Sequence, residues 1–191
     1  MDELIQYLNQ INPVEQETVE ELQRCFKPQL LEKDDFFAKQ GEYSQKIGFL
    51  KEGIVRAFFL NKEGKEYNKQ FFVGPCIIGA YTSLLTKEPN KIAQQALTDC
   101  TVLVADFNAI EQLYDQSHSM ERLGRKIAES YFLEKEQKEL EMALLNADER
   151  YLIMREQFPS IELILPQYHI ASYLGISATQ LSRIRRKLKD S

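Results

Sequence analysis

The stretch Gln167-Tyr-His-Ile-Ala-Ser-Tyr-Leu-Gly-Ile-Ser-Ala-Thr-Gln-Leu-Ser-Arg-Ile-Arg-Arg-Lys-Leu188 decides the reading of the chain. Ala171 is small, and Gly175 follows four residues later. Two helices that cross closely need a small residue at the centre of the first. The turn between them needs a residue that tolerates positive φ, which glycine does. Leu181, Ile184 and Leu188 then recur at i, i+3 and i+7, one apolar stripe on a second helix. Ser177 and Gln180 have the spacing of a capping box at its start. The opposite face carries Ser182, Arg183, Arg185, Arg186, Lys187 and Lys189. The spacing predicts a helix-turn-helix whose second helix is apolar behind and cationic in front, the form that enters a DNA major groove. The competing reading is an ordinary helical hairpin with a solvated basic face.

Charge distribution favours the first reading. The chain has 191 residues, 24 basic and 29 acidic, with a net charge of −5. From Pro166 to Ser191 the balance is +4, and the remainder carries −9. An acidic body with a basic end presents one surface to DNA and repels it elsewhere. No run approaches the ~18 apolar residues of a membrane span, and the N-terminus lacks a basic region before an apolar core, so a cytoplasmic protein is expected.

Working back from the motif, Ile161 to Leu165 reads as a short strand before Pro166, which would make the motif winged. Ala147 to Phe158 is an amphipathic helix ended by Pro159. Residues 119–146 hold no proline and one glycine, and predict one helix of ~42 Å. Met120, Leu123, Ile127 and Tyr131 step along it as a heptad-like seam, read as a dimer contact. Packing of that helix on its own domain is the alternative.

Upstream the period is two. Leu30-Leu31, Phe36-Phe37, Ile47–Leu50, Ile54–Leu60, Tyr67–Val73 and Val102–Ala105 are short β-type runs separated by turn residues. They predict an antiparallel barrel or roll, with the hairpin Ile54–Leu60/Lys65–Val73 its clearest piece. Phe107–Tyr114 reads as a short helix. At the start, Asp2–Ile11 is a helix with Leu4, Ile5, Leu8 and Ile11 on one face. Asn12 reads as the cap of a second helix, with Pro13 at its first position and Cys25 near its end.

Enzymatic chemistry finds no support: there is no glycine-rich phosphate loop, no nucleophile–histidine pairing and no metal-ligand spacing. Asp34-Asp35 is turn chemistry. Cys25, Cys76 and Cys100 are odd in number and widely spaced, against disulfides and zinc; His118 and His169 are too separated to form a metal cluster, so no metal is expected.

The order of elements, with Asp148-Glu149-Arg150-Tyr151, Leu165-Pro166-Gln167, Ile170 to Ser177 and Leu181-Ser182-Arg183-Ile184, resembles the Crp/Fnr family of bacterial transcription regulators. The resemblance implies an α+β chain in three parts: a cyclic-nucleotide-binding-like antiparallel β-roll of the double-stranded β-helix type (1–118), a dimerisation helix (119–146) and a winged helix-turn-helix (147–191). It implies a homodimer on a near-palindromic duplex that contacts RNA polymerase, with a small-molecule effector as a further candidate partner. A roll that binds ligand beside a vestigial DNA motif is the alternative.

Matched to the family's motif, Ala178, Thr179, Ser182 and Arg183 fall at base-reading positions. Arginine can bond bidentately to guanine. Thr179 stands where many members carry glutamate, so cytosine reading by a carboxylate is lost. Pro166, Gln167 and Tyr168 match phosphate-contact positions at a helix start. Ser177, Gln180, Arg185, Arg186 and Lys187 complete the expected phosphate set. In the roll, the effector pocket falls at Gly79, Ala80, Tyr81, Asn90 and Lys91. Members that bind cyclic AMP have glutamate after the glycine and an arginine further on. Ala80 and Asn90-Lys91 replace them, and Lys91 lacks the fork geometry. The three cysteines do not supply the about four ligands of an iron–sulfur cluster, and no histidine in the roll suits haem. The cofactor expectation is therefore none.

Overall fold

The computed structural model describes residues 1–189, the side chain of Lys189 excepted; that cationic position, and Asp190 of the charge count, lie outside the described side chains. Two compact units are present, Met1–Phe59 with Gln70–Ser130, and Leu60–Lys69 with the chain from Tyr131 onward.

Eight antiparallel strands form two four-stranded sheets, and all their residues but Leu60 and 66–69 belong to the first unit. These are β1 (Lys27–Leu31), β2 (Phe36–Ala38), β3 (Lys46–Glu52), β4 (Ile54–Leu60), β5 (Glu66–Val73), β6 (Cys76–Ile78), β7 (Ala93–Ala96) and β8 (Cys100–Asp106). One sheet has the order β1-β8-β3-β6 and the other β2-β7-β4-β5. Both faces of β3 and β8 are covered: Phe49 lies opposite Leu103 and Leu50 opposite Val102, all four buried though successive side chains point to opposite faces, and the Tyr7 ring lies against Phe49. The expected antiparallel roll and its β4–β5 hairpin are present. Strands β6 and β7 and the helix α3 (Tyr81–Thr86) carry too little local signal to have been expected. β7 reads Ala-Gln-Gln-Ala and takes its extended form from pairing, Val55 with Ala96 and Ala57 with Gln94.

Helices α1 (Asp2–Ile11) and α2 (Gln16–Cys25) bury Leu4, Leu8, Val19 and Leu22 in this unit. The second helix starts three residues later than the Asn12-Pro13 reading placed it. Asn12 ends α1 instead: its N–H bonds the Leu8 carbonyl, and its Nδ2 donates to Pro13 O at 3.0 Å and Ser119 O at 3.3 Å. A buried amide with distant partners is a staple, which overrides its capping preference.

Helix α4 (Phe107–Gln116) is capped by Asp106, which accepts from Asn108 N and Ala109 N. Helix α5 then runs unbroken over His118–Leu144. Its seam divides. Met120 and Leu123 are buried within the chain, and Ile127 and Tyr131 are half-buried. The first two are therefore core residues and not an open dimer contact, because the first turns of α5 belong to the β-roll unit. Gly124 explains the fit: a Cβ there would lie 2.8 Å from the Tyr114 ring. Exposed apolar side chains appear later on the helix, at Phe132, Leu133, Leu140 and Leu144.

Candidate nucleic-acid interface

Four short helices follow α5. Helix α6 (Ala147–Gln157) opens on a complete capping box, Asn146 Oδ1 accepting from Glu149 N and Glu149 accepting from Asn146 N at 2.8 Å. The Asn-x-x-Glu spacing at 146–149 is the signal this box leaves in the sequence. Helix α7 (Ile161–Ile164) is one turn that buries Ile161. This corrects the expected strand at 161–165: among the described residues no strand follows β8, and the expected wing is a helical turn. A run of alternating Ile and Leu cannot distinguish a short strand from a short helix by pattern alone.

Helices α8 (Gln167–Leu174) and α9 (Ala178–Lys189) form the helix-turn-helix. Gly175 has φ +69°, the left-handed conformation, and its N–H bonds back to the Ala171 and Ser172 carbonyls. Ile176 N–H also reaches Ala171 O at 3.0 Å, closing the end of α8. Ser177 and Gln180 form the expected box: Gln180 N–H donates to Ser177 Oγ at 3.2 Å, and Ser177 N–H to Gln180 Oε1 at 3.0 Å. Ile170, Ala171 and Leu174 on α8 and Leu181 and Ile184 on α9 are buried. Arg150 donates to Leu145 O and to Leu174 O, so one guanidinium ties the end of α5 to the carbonyl end of α8.

With its apolar stripe buried, α9 shows its other side to solvent. Ala178, Thr179, Ser182, Arg183 and Arg186 are all exposed and line one open depression. The four base-reading candidates are thus brought together, with Arg186 beside them. The phosphate set is divided. Arg185 is half-buried, its Nε 3.4 Å from Glu162, and Lys187 pairs with Asp148. Arg183 and Arg186 have no ion-pair partner among the described residues. Glu162 was not singled out in the sequence; it accepts from the Tyr151 hydroxyl at 2.8 Å and pairs with both Arg155 and Arg185. Pro166, Gln167 and Tyr168 are exposed at the start of α8, where no side chain caps the first N–H groups. His169 is buried, a packing residue.

Burial and the bond to Glu162 push the Tyr151 phenol up to about 12. An unfolded tyrosine ionises near pH ~10. Between these values the unfolded chain loses a proton that the native chain keeps, so this contribution to stability is complete below pH ~10 and lost as pH rises towards ~12. Tyr151→Phe is expected to flatten the fall in Tm between pH ~9.5 and ~11.5, measured by circular dichroism. Asp148→Asn removes the anion that competes for Lys187. Duplex affinity is expected to rise, and the slope of log K against log salt to steepen by up to ~0.9. Anisotropy titrations at several salt concentrations read both.

The candidate effector pocket is less complete. Gly79 carbonyl accepts from Gln94 Nε2 at 3.0 Å, and Ala80 is buried. Tyr81 opens α3 with its ring edge-on to Phe107. Asn90 is turned away from any ligand role: its side chain donates to Lys39 O and Ile92 O and accepts from Ile92 N. It holds a turn against the Lys39–Glu42 loop, and Gly41 N–H bonds its carbonyl at 2.7 Å. Lys91 is exposed. Buried Gln94 Oε1 has no hydrogen-bond partner. A cyclic nucleotide asks for a carboxylate at its ribose and a forked cation at its phosphate. Neither side chain is present at these positions, so the residues do not fit that ligand. Cys100 is buried and its Sγ lies 3.2 Å from Thr98 O; no cluster with metal-site character occurs among the described residues.

Comparison with known proteins agrees with this fold. Residues 28–117 match the cyclic nucleotide-binding domain. The transcriptional activator protein Anr of Pseudomonas protegens is 22% identical over 95% of this chain and 77% of its own length. FixK2 from Bradyrhizobium japonicum superposes with a TM-score of 0.76 at 17% identity, covering 86% of this chain and 85% of that one. A transcriptional regulator of the Crp/Fnr family from Eubacterium rectale gives 0.73 at 14% identity, covering 92% and 84%. Anr is named as a transcriptional activator and the Eubacterium rectale protein as a transcriptional regulator. No helix among the described residues is long and apolar enough to cross a membrane. Residues 28–117 thus match a cyclic nucleotide-binding domain, within a chain that shares its fold with FixK2 and with the Crp/Fnr-family regulator from Eubacterium rectale.

Proposed function

We propose that the chain is a sequence-specific duplex-DNA-binding regulator in which α9 enters the major groove. The observation that carries this reading is the single exposed surface of Ala178, Thr179, Ser182, Arg183 and Arg186 on a helix whose other side is fixed by Leu181 and Ile184. Arg183 reads a base edge, with Ser182, Thr179 and Ala178 as its neighbours. Arg186, with the open start of α8 at Pro166–Tyr168, meets phosphate. Arg185 and Lys187 contribute less than the sequence suggested, because Glu162 and Asp148 hold them.

The working form is a homodimer on a near-palindromic site in the bacterial cytoplasm, joined through the second half of α5. Phe132, Leu133, Leu140 and Leu144 are the exposed apolar side chains that support this. They replace Met120 and Leu123 of the sequence seam. An effector, if the roll takes one, is not a cyclic nucleotide held in the family manner, and the regulator's output passes through RNA polymerase. Selection of bound duplexes from a random pool tests the reading. The expected product is two inverted half-sites about one helical turn apart, bound with an affinity that falls steeply with salt. Salt-insensitive binding, or recovery of unrelated sequences, would overturn it and favour a ligand-binding roll with a vestigial motif.

A further inference from the structure

We infer that the tip of the β4–β5 hairpin, Leu60–Lys69, braces the helix-turn-helix, and that Asn68 and Ser172 are positioning residues for the recognition helix. The tip belongs to the same compact unit as the chain from Tyr131 onward. β5 is the outer strand of its sheet, so alternate backbone groups on its free side lack a strand partner. The Ser172 hydroxyl fills one such position. It accepts from Asn68 N at 3.0 Å and donates to Glu66 O at 3.1 Å, taking the place of a neighbouring strand. The Asn68 side chain adds a second tie: Nδ2 donates to His169 O at 3.0 Å and lies 3.2 Å from His169 Nδ1. Asn68 and His169 are each 5% exposed. His169 and Ser172 are three apart and share one face of α8.

The brace is stiff at its own end. Asn61 Oδ1 accepts from Glu63 N and Lys65 N, and Asn61 N–H bonds Lys65 O at 3.0 Å. The helix it holds needs holding. α8 has eight residues and no side-chain cap, and helices this short are marginal alone. Arg150 fixes its C-terminal end, and the hairpin fixes its middle. α9 rests on α8 through Leu181 and Ile184, so what orients α8 orients the surface around Arg183. A platform fixed before binding does not pay ordering entropy on binding. A loosened one weakens every duplex alike, because no base contact is touched.

The inference rests on the DNA-binding reading for its consequence but not for its geometry, and the test separates the two. Ser172→Ala, Ser172→Thr and Asn68→Ala are compared with the parent in the full chain. Amide hydrogen exchange across α8 is measured in the free protein, and affinity is measured for the selected duplex and a scrambled one. Ser172→Ala is expected to speed exchange in α8 and weaken both duplexes by a common factor, each about 5- to 10-fold. Ser172→Thr keeps a hydroxyl that both accepts and donates, and restores both readouts. Unchanged exchange in Ser172→Ala and Asn68→Ala overturns the brace whatever the duplexes do. Faster exchange with unchanged affinity overturns the positioning role. Faster exchange in Ser172→Ala, with a parent chain that binds no duplex, keeps the brace and removes the DNA-binding reading.

Discussion

Arg183→Ala is expected to lower affinity for the selected duplex by about 5- to 150-fold, the ~1–3 kcal/mol of a bidentate contact to guanine. Affinity for duplexes altered at the one base pair it reads is expected to change little, so specificity at that position relaxes. The argument is geometric. Arg183 lies on the exposed side of α9 between Thr179 and Arg186, and no acidic side chain among the described residues ties it down. Its guanidinium is available in a way that of Arg185, drawn to Glu162, is not. Arg183→Lys is expected to recover attraction to phosphate but not discrimination, since an ammonium lacks the planar fork. Arg186→Ala supplies the contrast: it should weaken selected and scrambled duplexes by a similar factor and lower the salt slope by about one. Competition titrations against single-base variants of the selected site measure all three. Equal losses for Arg183→Ala and Arg186→Ala on every duplex would move base reading away from Arg183.

Much of this geometry was legible before any coordinates. Ala171, Gly175, Ser177, Gln180, Leu181 and Ile184 each satisfy a local requirement, and every one takes the expected place. Local chemistry also gave the hairpin β4–β5 and the long helix. What escaped was set by distant partners. Ile161–Leu165 has the composition of a strand, but with no neighbouring strand to pair with it forms a turn of helix. Met120 and Leu123 have heptad spacing, and the spacing is silent on whether their own unit or another chain covers them. The family's motif puts a ligand position near Asn90, whereas its amide is consumed by a turn. Nothing around Asn68 announces a bond to Ser172, more than a hundred residues away. The cationic face of α9 was visible as a list of charges. Which of them are spent on Glu162 and Asp148 depends on how α6, α7 and α9 pack.

Leu181→Ala carries the largest expected cost to the second unit. Leu181 is fully buried, on the side of α9 away from Arg183, and α8 buries Ala171 and Leu174 in the same unit. Removing three side-chain carbons from a closed site is expected to cost ~2–5 kcal/mol, transfer and cavity terms together. Little is at hand on α8 to fill the gap, because Ala171 is already small and Gly175 carries no side chain. The loss should therefore fall on the seating of α9. Duplex binding is expected to drop for every sequence, while the fold of the roll, which does not use Leu181, persists. Circular dichroism melts are expected to resolve an early transition for the second unit, and tyrosine and cysteine probes in the roll to report the later one. Leu181→Met, close in volume and able to bend into the same site, is expected to lose less than ~1.5 kcal/mol and to keep duplex affinity. A Leu181→Ala chain that melted as the parent does and bound DNA normally would mean that α9 is not held by its apolar stripe. The cationic surface would then have no fixed support from which to read a groove.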